Sequence, residues 1–277
     1  MKKISRRSFM AAAAVSVAAL AMTACGGSAS SASSVASSAA SSEAVSSSAA
    51  AELTTVETGK LTMATNATFP PYEMTTDSGE IEGIDVDTAK AIAEKLGLEL
   101  QIDDMDFDAA LLSVQQGKAD IVMAGVTVTD ERKAVMDFSD SYATGIQSII
   151  VPNDSDIASP DDLAGKKIGT QRGTTGYIYC SDDFGEDSVV AYDNGLTAVQ
   201  ALNNGQVDAV VIDNAPAQEF VAANPGLKIL DTSYAEEDYA IGMAKNSPLE
   251  DAINSTLEEL KADGTLQAIV DKYINAN

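Results

Sequence analysis

The segment that decides the fold is residues 105–142, MDFDAALLSVQQGKADIVMAGVTVTDERKAVMDFSDSY. Its first part, FDAALLSVQQ, carries apolar residues at helical spacing, and Gly117 is expected to end that helix. ADIVMAG is a short apolar run, typical of a strand buried in a parallel sheet. TDERKAV starts a second helix, with Thr129 as its expected N-cap and two acids in a first turn where the helix dipole favours them. This succession predicts an α/β fold.

Arg132 is out of place in that second helix. A cation in the first turn opposes the helix dipole, so helix stability does not account for it. An arginine beside free backbone donors at the end of a sheet strand is suited to holding a carboxylate. The alternative is a surface arginine that pairs with nearby acids.

A second copy of the helix–Gly–Asp–strand pattern runs over residues 198–217, AVQALNNGQVDAVVIDNAPA. The two copies are related by an offset of 88 residues (205 − 117), which pairs Gly117 with Gly205, Asp120 with Asp208, and Gly125 with Asp213. Positions just beyond the carboxyl ends of strands are where open α/β sheets bind ligands. One copy therefore offers an arginine and the other a carboxylate, which together suit a zwitterion.

The chain resembles the extracytoplasmic solute-binding proteins of polar amino-acid ABC transporters, the group that contains the glutamine-, histidine- and lysine/arginine/ornithine-binding proteins. The phrases that carry the resemblance are ATNATFPPYEM (64–74), GIDVDTAKAIAEKLG (83–97), MDFDAALLSVQQGKADIVMAGVTVTDER (105–132), GTQRGTTG (169–176) and GQVDAVVIDN (205–214). The resemblance implies a two-lobed, type II periplasmic-binding-protein fold. Each lobe would be a mostly parallel sheet flanked by helices, and the chain would cross between the lobes twice.

The resemblance also implies a binding site and a mechanism of hinge closure around a free amino acid. The implied ligand contacts are Gly125, Thr127, Arg132 and Thr175 for the α-carboxylate, Asp213 for the α-ammonium, and Phe69 and Phe107 as aromatic walls for the side chain. Without the resemblance, either phenylalanine is explained equally well as ordinary core filling. No cofactor or metal is expected.

Asn66 bears on the identity of the ligand. Binders of basic amino acids in the family carry an aspartate at this position, whereas Asn66 is neutral. Burying a cationic side chain without a partner costs several kcal/mol. The expectation is therefore a neutral L-amino acid, glutamine-like or cystine-like. If the ligand were lysine or arginine, a nearby acid such as Glu73 would have to reach the pocket.

The amino terminus has the pattern of an export signal. MKKISRR is basic, FMAAAAVSVAALAM is apolar, and MTAC ends at Cys25, which resembles a bacterial lipoprotein signal over residues 1–24 with Cys25 as the lipidated residue. A plain secretory signal or membrane anchor is the alternative, and SRRSFM leaves the export route open. Residues 25–52 are expected to be a flexible tether rich in Ser and Ala. The predicted lobes are residues 53–142 with 240–277, and residues 143–239.

Composition excludes several functions. The formal net charge is −25. Removal of the signal takes four of the 17 cations and no acid, which leaves 13 cations against 42 acids and a net charge of −29. Nucleic acid is a poor partner for such a surface. The chain has no histidine, so His-based triads are excluded, and Cys180 has no second cysteine in the mature domain to pair with.

These observations predict a monomeric binding protein rather than an enzyme, held outside the cell by lipid, that delivers an amino acid to an ABC permease. Two rival functions remain open. A dehydratase of the prephenate or arogenate type resembles this family, but the sequence offers no clear acid for its leaving group. A surface sensor or adhesin is the other.

Overall fold

A computed structural model of the protein describes residues 53–274. The predicted signal peptide, Cys25 and the tether lie outside the described residues. Within residues 53–274, no helix combines the length and the apolar character that a membrane span requires.

The described residues form fourteen strands and eight α-helices. The strands are β1 (Lys60–Thr65), β2 (Thr68–Phe69), β3 (Glu73–Thr75), β4 (Ile81–Glu82), β5 (Glu99–Asp104), β6 (Ile121–Val122), β7 (Met136–Phe138), β8 (Ala143–Pro152), β9 (Ile168–Gln171), β10 (Val189–Tyr192), β11 (Ala209–Asp213), β12 (Leu227–Ile229), β13 (Ala235–Tyr239) and β14 (Gly242–Ala244). The helices are α1 (Ile84–Leu96), α2 (Phe107–Gln115), α3 (Asp130–Val135), α4 (Thr175–Phe184), α5 (Gly195–Asn203), α6 (Asn214–Ala222), α7 (Glu250–Ala262) and α8 (Thr265–Ile274).

Two sheets carry the fold. The first has the order β5-β1-β6-β14-β7 and the second the order β10-β9-β11-β8-β12, with β13 also pairing with β8. In the first sheet β14 is antiparallel to both neighbours, and in the second β8 is antiparallel to β11, β12 and β13. The other pairs are parallel. In each sheet all strands but one therefore run in the same direction, and these two mixed sheets with their helices confirm the predicted two-lobed α/β class.

The chain crosses between the sheets twice, and the crossing segments pair with each other. β8 enters the second sheet, and β13 leads back to β14 in the first. β13 lies antiparallel to β8 from Ala235, opposite Gln147, to Tyr239, opposite Ala143. The reversed strand of each sheet thus belongs to, or directly follows, a crossing segment. The lobe boundaries at 142/143 and 239/240 stay a prediction.

The internal repeat is present in the backbone as well as in the sequence. α2 ends at a turn in which Gly117 has a φ of 66° and its N–H donates to the Val114 carbonyl at 3.0 Å. α5 ends in the same way, because Gly205 has a φ of 65° and donates to the Leu202 carbonyl at 3.0 Å. Side chains other than glycine rarely adopt such a φ. The predicted helix stops are confirmed.

The repeated aspartates explain how each strand is anchored after its helix. Asp120 accepts the N–H of Thr62 at 2.8 Å, and its own N–H donates to the Thr62 carbonyl at 2.9 Å. Asp208 exchanges the same pair of bonds with Lys167, both at 2.8 Å. The two motifs therefore seat β6 and β11 beside β1 and β9, and this brings the ends of both strands to equivalent places in their sheets.

Candidate functional site

Arg132 lies in the first turn of α3 and is only 8% exposed. Its backbone N–H donates to the hydroxyl of Thr129, the predicted cap, at 3.2 Å. Its guanidinium donates to the carbonyl oxygens of Thr127 at 2.7 Å and Gly173 at 3.2 Å, and lies 5.4 Å from the ring centroid of Phe107. The ion pairs formed within residues 53–274 do not include it. It is not a surface arginine paired with local acids.

The electrostatic setting of Arg132 favours an anion. Burial lowers the pKa of the guanidinium, while the negative charge of Glu237 acts in the opposite direction. A guanidinium held by neutral carbonyls, with its charge not matched by a direct ion pair, retains a strong attraction for a carboxylate.

Asp213 ends β11 and is 2% exposed. One carboxylate oxygen accepts the N–H of Ala215 at 2.9 Å, which caps α6, and the other accepts the N–H of Ile146 in β8 at 2.7 Å. Burial raises the pKa of this carboxyl to about 6, although both backbone bonds favour the charged form. A carboxylate oxygen accepts more than one hydrogen bond, so the capping role leaves acceptor capacity for an ammonium group.

One cavity brings the predicted residues together. The space that atoms leave unfilled there is about 450 Å³, part of it open to solvent. All eight predicted contacts line it: Asn66, Phe69, Phe107, Gly125, Thr127, Arg132, Thr175 and Asp213. The lining also includes residues that were not assigned to the site from sequence, among them Glu73, Gln147, Gln171 and Tyr239.

Around Arg132, the cavity offers hydroxyl groups from both sheets. The Thr127 hydroxyl lies 3.4 Å from that of Thr175, which begins α4. The resemblance implies that Gly125 contacts the ligand carboxylate, whereas in the structure its N–H donates to the buried carboxylate of Asp85 at 3.0 Å. The absence of a side chain at Gly125 matters for space, since a Cβ there would lie 2.9 Å from the Phe69 ring.

An amide pair forms another part of the wall. The side-chain amide of Gln171 donates to the side-chain Oδ1 of Asn66 at 3.0 Å, which joins the end of β9 to the loop after β1. Asn66 also accepts the Thr68 hydroxyl at 3.0 Å and donates to the Met105 carbonyl at 2.9 Å. These bonds fix both amide orientations. The wall is neutral here and presents hydrogen-bonding groups.

The two phenylalanines serve the core and the cavity at once. Phe69 packs against buried clusters of both sheets, and its ring stacks on Tyr72 with centroids 5.8 Å apart. Phe107 is 6% exposed and belongs to the core cluster under α2. Both also line the cavity. The two interpretations of these residues are therefore compatible.

Besides Gln171, several polar residues in or beside the cavity were not identified from local sequence patterns. Glu237 in β13 is 6% exposed and accepts the Thr127 hydroxyl at 3.0 Å and the Gln147 amide at 2.9 Å. Gln147 faces the same cavity. Glu73, considered only as an alternative, is 0% exposed and lines the cavity. An acid at an inward position of a short strand is the signal that Glu73 and Glu237 share.

Two other residues noted in the sequence stay outside the site. Arg172 is exposed and lies 3.9 Å from Asp193. Cys180 is buried in the core of the second sheet. Burial raises the pKa of its thiol to about 12, as expected for an unreactive core cysteine.

Comparison with known proteins gives a consistent result. The family of bacterial extracellular solute-binding proteins, family 3, matches residues 61–276. The L-cystine-binding protein TcyJ of Escherichia coli (strain K12) is 32% identical over 225 residues, covering 80% of this chain and 85% of that protein.

Solved structures give the same match at the level of the fold. An ancestral arginine-binding protein bound to glutamine has a TM-score of 0.75 and 43% identity, covering 79% of this chain and 99% of that one. The arginine-, lysine-, histidine-binding protein ArtJ from Geobacillus stearothermophilus has a TM-score of 0.75 and 34% identity, covering 79% of this chain and 96% of that one. The named ligands thus include neutral and cationic amino acids.

Proposed function

The chain belongs to family 3 of the bacterial extracellular solute-binding proteins, and from this we propose that it is the extracytoplasmic binding component of an amino-acid ABC importer. One observation carries the proposal. Arg132 and Asp213, predicted from repeat-related strand ends to hold opposite charges of one zwitterion, line the same cavity. A buried cation and a buried carboxylate each bind an oppositely charged group more strongly than they would in water.

Capture takes place by closure of two lobes around the ligand. Three polar contacts join groups that belong to the two sheets: Arg132 to the Gly173 carbonyl, Asn66 to Gln171, and Thr127 to Thr175. The β8–β13 pair connects the sheets and acts as the hinge. Charge-assisted bonds are worth about 1.5–3 kcal/mol each, so a few of them support micromolar binding or tighter.

The proposed ligand has a neutral side chain. The amides of Asn66 and Gln171 supply donors and acceptors without charge, which suits a polar group such as the amide of glutamine. A cationic side chain beside them would find no anion in that pair.

A second candidate, a cationic amino acid, is favoured by a specific observation. Glu73 lines the cavity and meets no cation among the described residues. Arginine is also a named ligand of similar proteins. A thermal-shift screen against the twenty amino acids separates the candidates, because a ligand that binds only the native state raises Tm. No shift with any of them would refute the amino-acid proposal itself.

The proposed location is outside the cytoplasm, with Cys25 as the lipid-bearing residue and residues 25–52 as a tether. The proposed partners are the free amino acid and the membrane permease of the importer, and the proposed binding unit is a monomer. We prefer the binding role to the dehydratase alternative. An assay for product formation from prephenate or arogenate tests that alternative, and measurable turnover would favour it.

A further inference from the structure

Two carboxyl groups are buried beside the ligand cavity and are not among the contacts proposed for the charged groups of the ligand. Glu73 on β3 and Asp85 at the start of α1 are both 0% exposed. Asp85 accepts the N–H of Gly125 at 3.0 Å, and so holds the turn that follows β6. Gly125 and Glu73 both line the cavity. The pair therefore belongs to the structural support of the ligand site.

No cation balances these acids within the described residues. Neither oxygen of Glu73 meets a donor, and the same is true of Oδ1 of Asp85. The titratable groups that face Glu73 are Asp85, Asp104 of β5, and the phenols of Tyr72 and Tyr142. None of these groups is a cation; the phenols are neutral O–H groups, and Tyr142 acts on Asp85 by favouring the charged form of that carboxyl. Burial and the charge of Asp85 both raise the pKa of Glu73 well above its usual value.

The chemistry of two facing carboxyl groups leaves one arrangement that satisfies both. Ionised carboxylates are acceptors only, so two of them cannot bond to each other, and their charges repel strongly in a medium of low dielectric constant. A single proton removes one charge and turns one acceptor into a donor. Asp85 is the better carrier of the remaining charge, because it already accepts the Gly125 N–H.

We propose that, in the ligand-free protein, Glu73 is a positioning residue of the ligand site that keeps its proton and donates a hydrogen bond to Asp85, so that the pair fixes the Gly125 turn. The bond joins three separate parts of the chain: β3, the start of α1 and the turn after β6. Its role in binding rests on the proposed function, whereas the protonation state does not.

The sign of the pH effect follows from the raised pKa. A glutamate in the unfolded chain loses its proton at about pH 4.3. Glu73 in the folded protein keeps its proton to a higher pH. The contribution of Glu73 to stability is therefore complete below that value and is lost progressively as the pH rises toward the folded pKa. A glutamine at this position donates the same hydrogen bond without titrating.

The test compares Glu73→Gln, Glu73→Ala and the exposed control Glu80→Gln with the full chain. Infrared difference spectra should contain the band of a protonated carboxyl at neutral pH, and Glu73→Gln alone should remove it. The Tm of Glu73→Gln should match wild type near about pH 4.5 and exceed it by about 2–4 °C at about pH 8. Glu73→Ala should lower Tm at both pH values. Glu80→Gln should change neither the carboxyl band nor Tm.

Ligand affinity provides a further readout. Glu73→Ala should bind the best ligand of the amino-acid screen at least about tenfold more weakly than wild type, since Asp85 would lose its donor. A missing carboxyl band in wild type, or a Tm of Glu73→Gln as low as that of Glu73→Ala, overturns the proposal. If no amino acid binds wild type, the proposed function fails, while the spectra and melting curves still decide the protonation of Glu73.

Discussion

The guanidinium of Arg132, carried by α3, donates to the carbonyl oxygen of Gly173 in the turn after β9, 3.2 Å away. Gly173 is packed so closely that a Cβ added to it would overlap the side chain of Asp108 at the start of α2. The predicted anchor for the ligand carboxylate is therefore also a link between the two sheets. In the proposed mechanism, the same cation serves ligand capture and closure.

Replacing Arg132 with alanine should weaken ligand binding at least about tenfold, or about 1.4 kcal/mol. The loss follows because the ligand carboxylate would be buried without its charged partner. Isothermal titration calorimetry measures the effect. Arg172→Ala is the matched control, because that arginine is exposed and does not line the cavity. Equal losses in both variants would contradict the assignment.

Asp213→Asn should keep one oxygen to cap α6, lose the acceptor of the Ile146 N–H and remove the charge that holds the ligand ammonium, with at least about a tenfold loss of affinity. Since the pKa of Asp213 is raised to about 6, wild-type affinity should fall as the pH drops through about 6. The variant should lack that fall.

The effect of pH on the stability of the ligand-free protein, through Asp213, should be opposite in sign to its effect on affinity. A raised pKa means that the contribution of this group is present at low pH and is lost as the pH rises through about 6. Melting curves over this range, with Asp193→Asn as an exposed control, measure it. Affinity that is independent of pH in wild type would count against an ionised Asp213 as the ammonium acceptor.

Asn66→Asp should raise the affinity for arginine and lysine about tenfold relative to wild type. The new carboxylate would keep the Gln171 and Thr68 bonds and would add a counter-ion for a cationic side chain. Titrations with glutamine, cystine, arginine and lysine give the comparison. A wild-type protein that binds lysine or arginine more tightly than every neutral amino acid would reject the neutral-ligand proposal and favour the candidate based on Glu73.

Cys25→Ala should abolish incorporation of labelled fatty acid and move the protein from the membrane fraction to the soluble secreted fraction. Lipid attachment requires the thiol, and acyl chains supply the membrane affinity of such a protein. Wild-type protein without label would refute the lipoprotein assignment. Ala24→Ser is a control that alters a neighbouring residue while leaving the thiol in place.

Local patterns predicted the parts of the fold that depend on local physics. Gly117 and Gly205 end their helices because a positive φ is required there, and Thr129 caps α3 through its own hydroxyl. The offset between the two copies pairs Gly125 with Asp213, and both residues line the same cavity. β6 is shorter than expected, with only Ile121–Val122 in ladder geometry, because the chain leaves the sheet early to form the ligand turn.

The remaining parts of the site depend on contacts between distant segments. Glu237 reaches Thr127 only because β13 pairs with β8, and Gln171 reaches Asn66 only because the two sheets face each other. The use of the Gly125 N–H by Asp85 likewise depends on how α1 packs. Local spacing contains no information on such pairings, so a single sequence could not rank these residues above other polar residues.

The paired strands β8 and β13 give the site a mechanical layout. In a rotation about that pair, displacement grows with distance from the axis, as along a lever arm. Asp213 is bonded to Ile146 on β8 itself, so in the proposed closure it lies close to the axis of rotation. Gly173 belongs to the turn that meets Arg132 and Asp108 of the opposite lobe, and it travels with the moving arm. In the proposed closure, the displacement between the lobes is therefore small near Asp213 and larger where Gly173 meets Arg132.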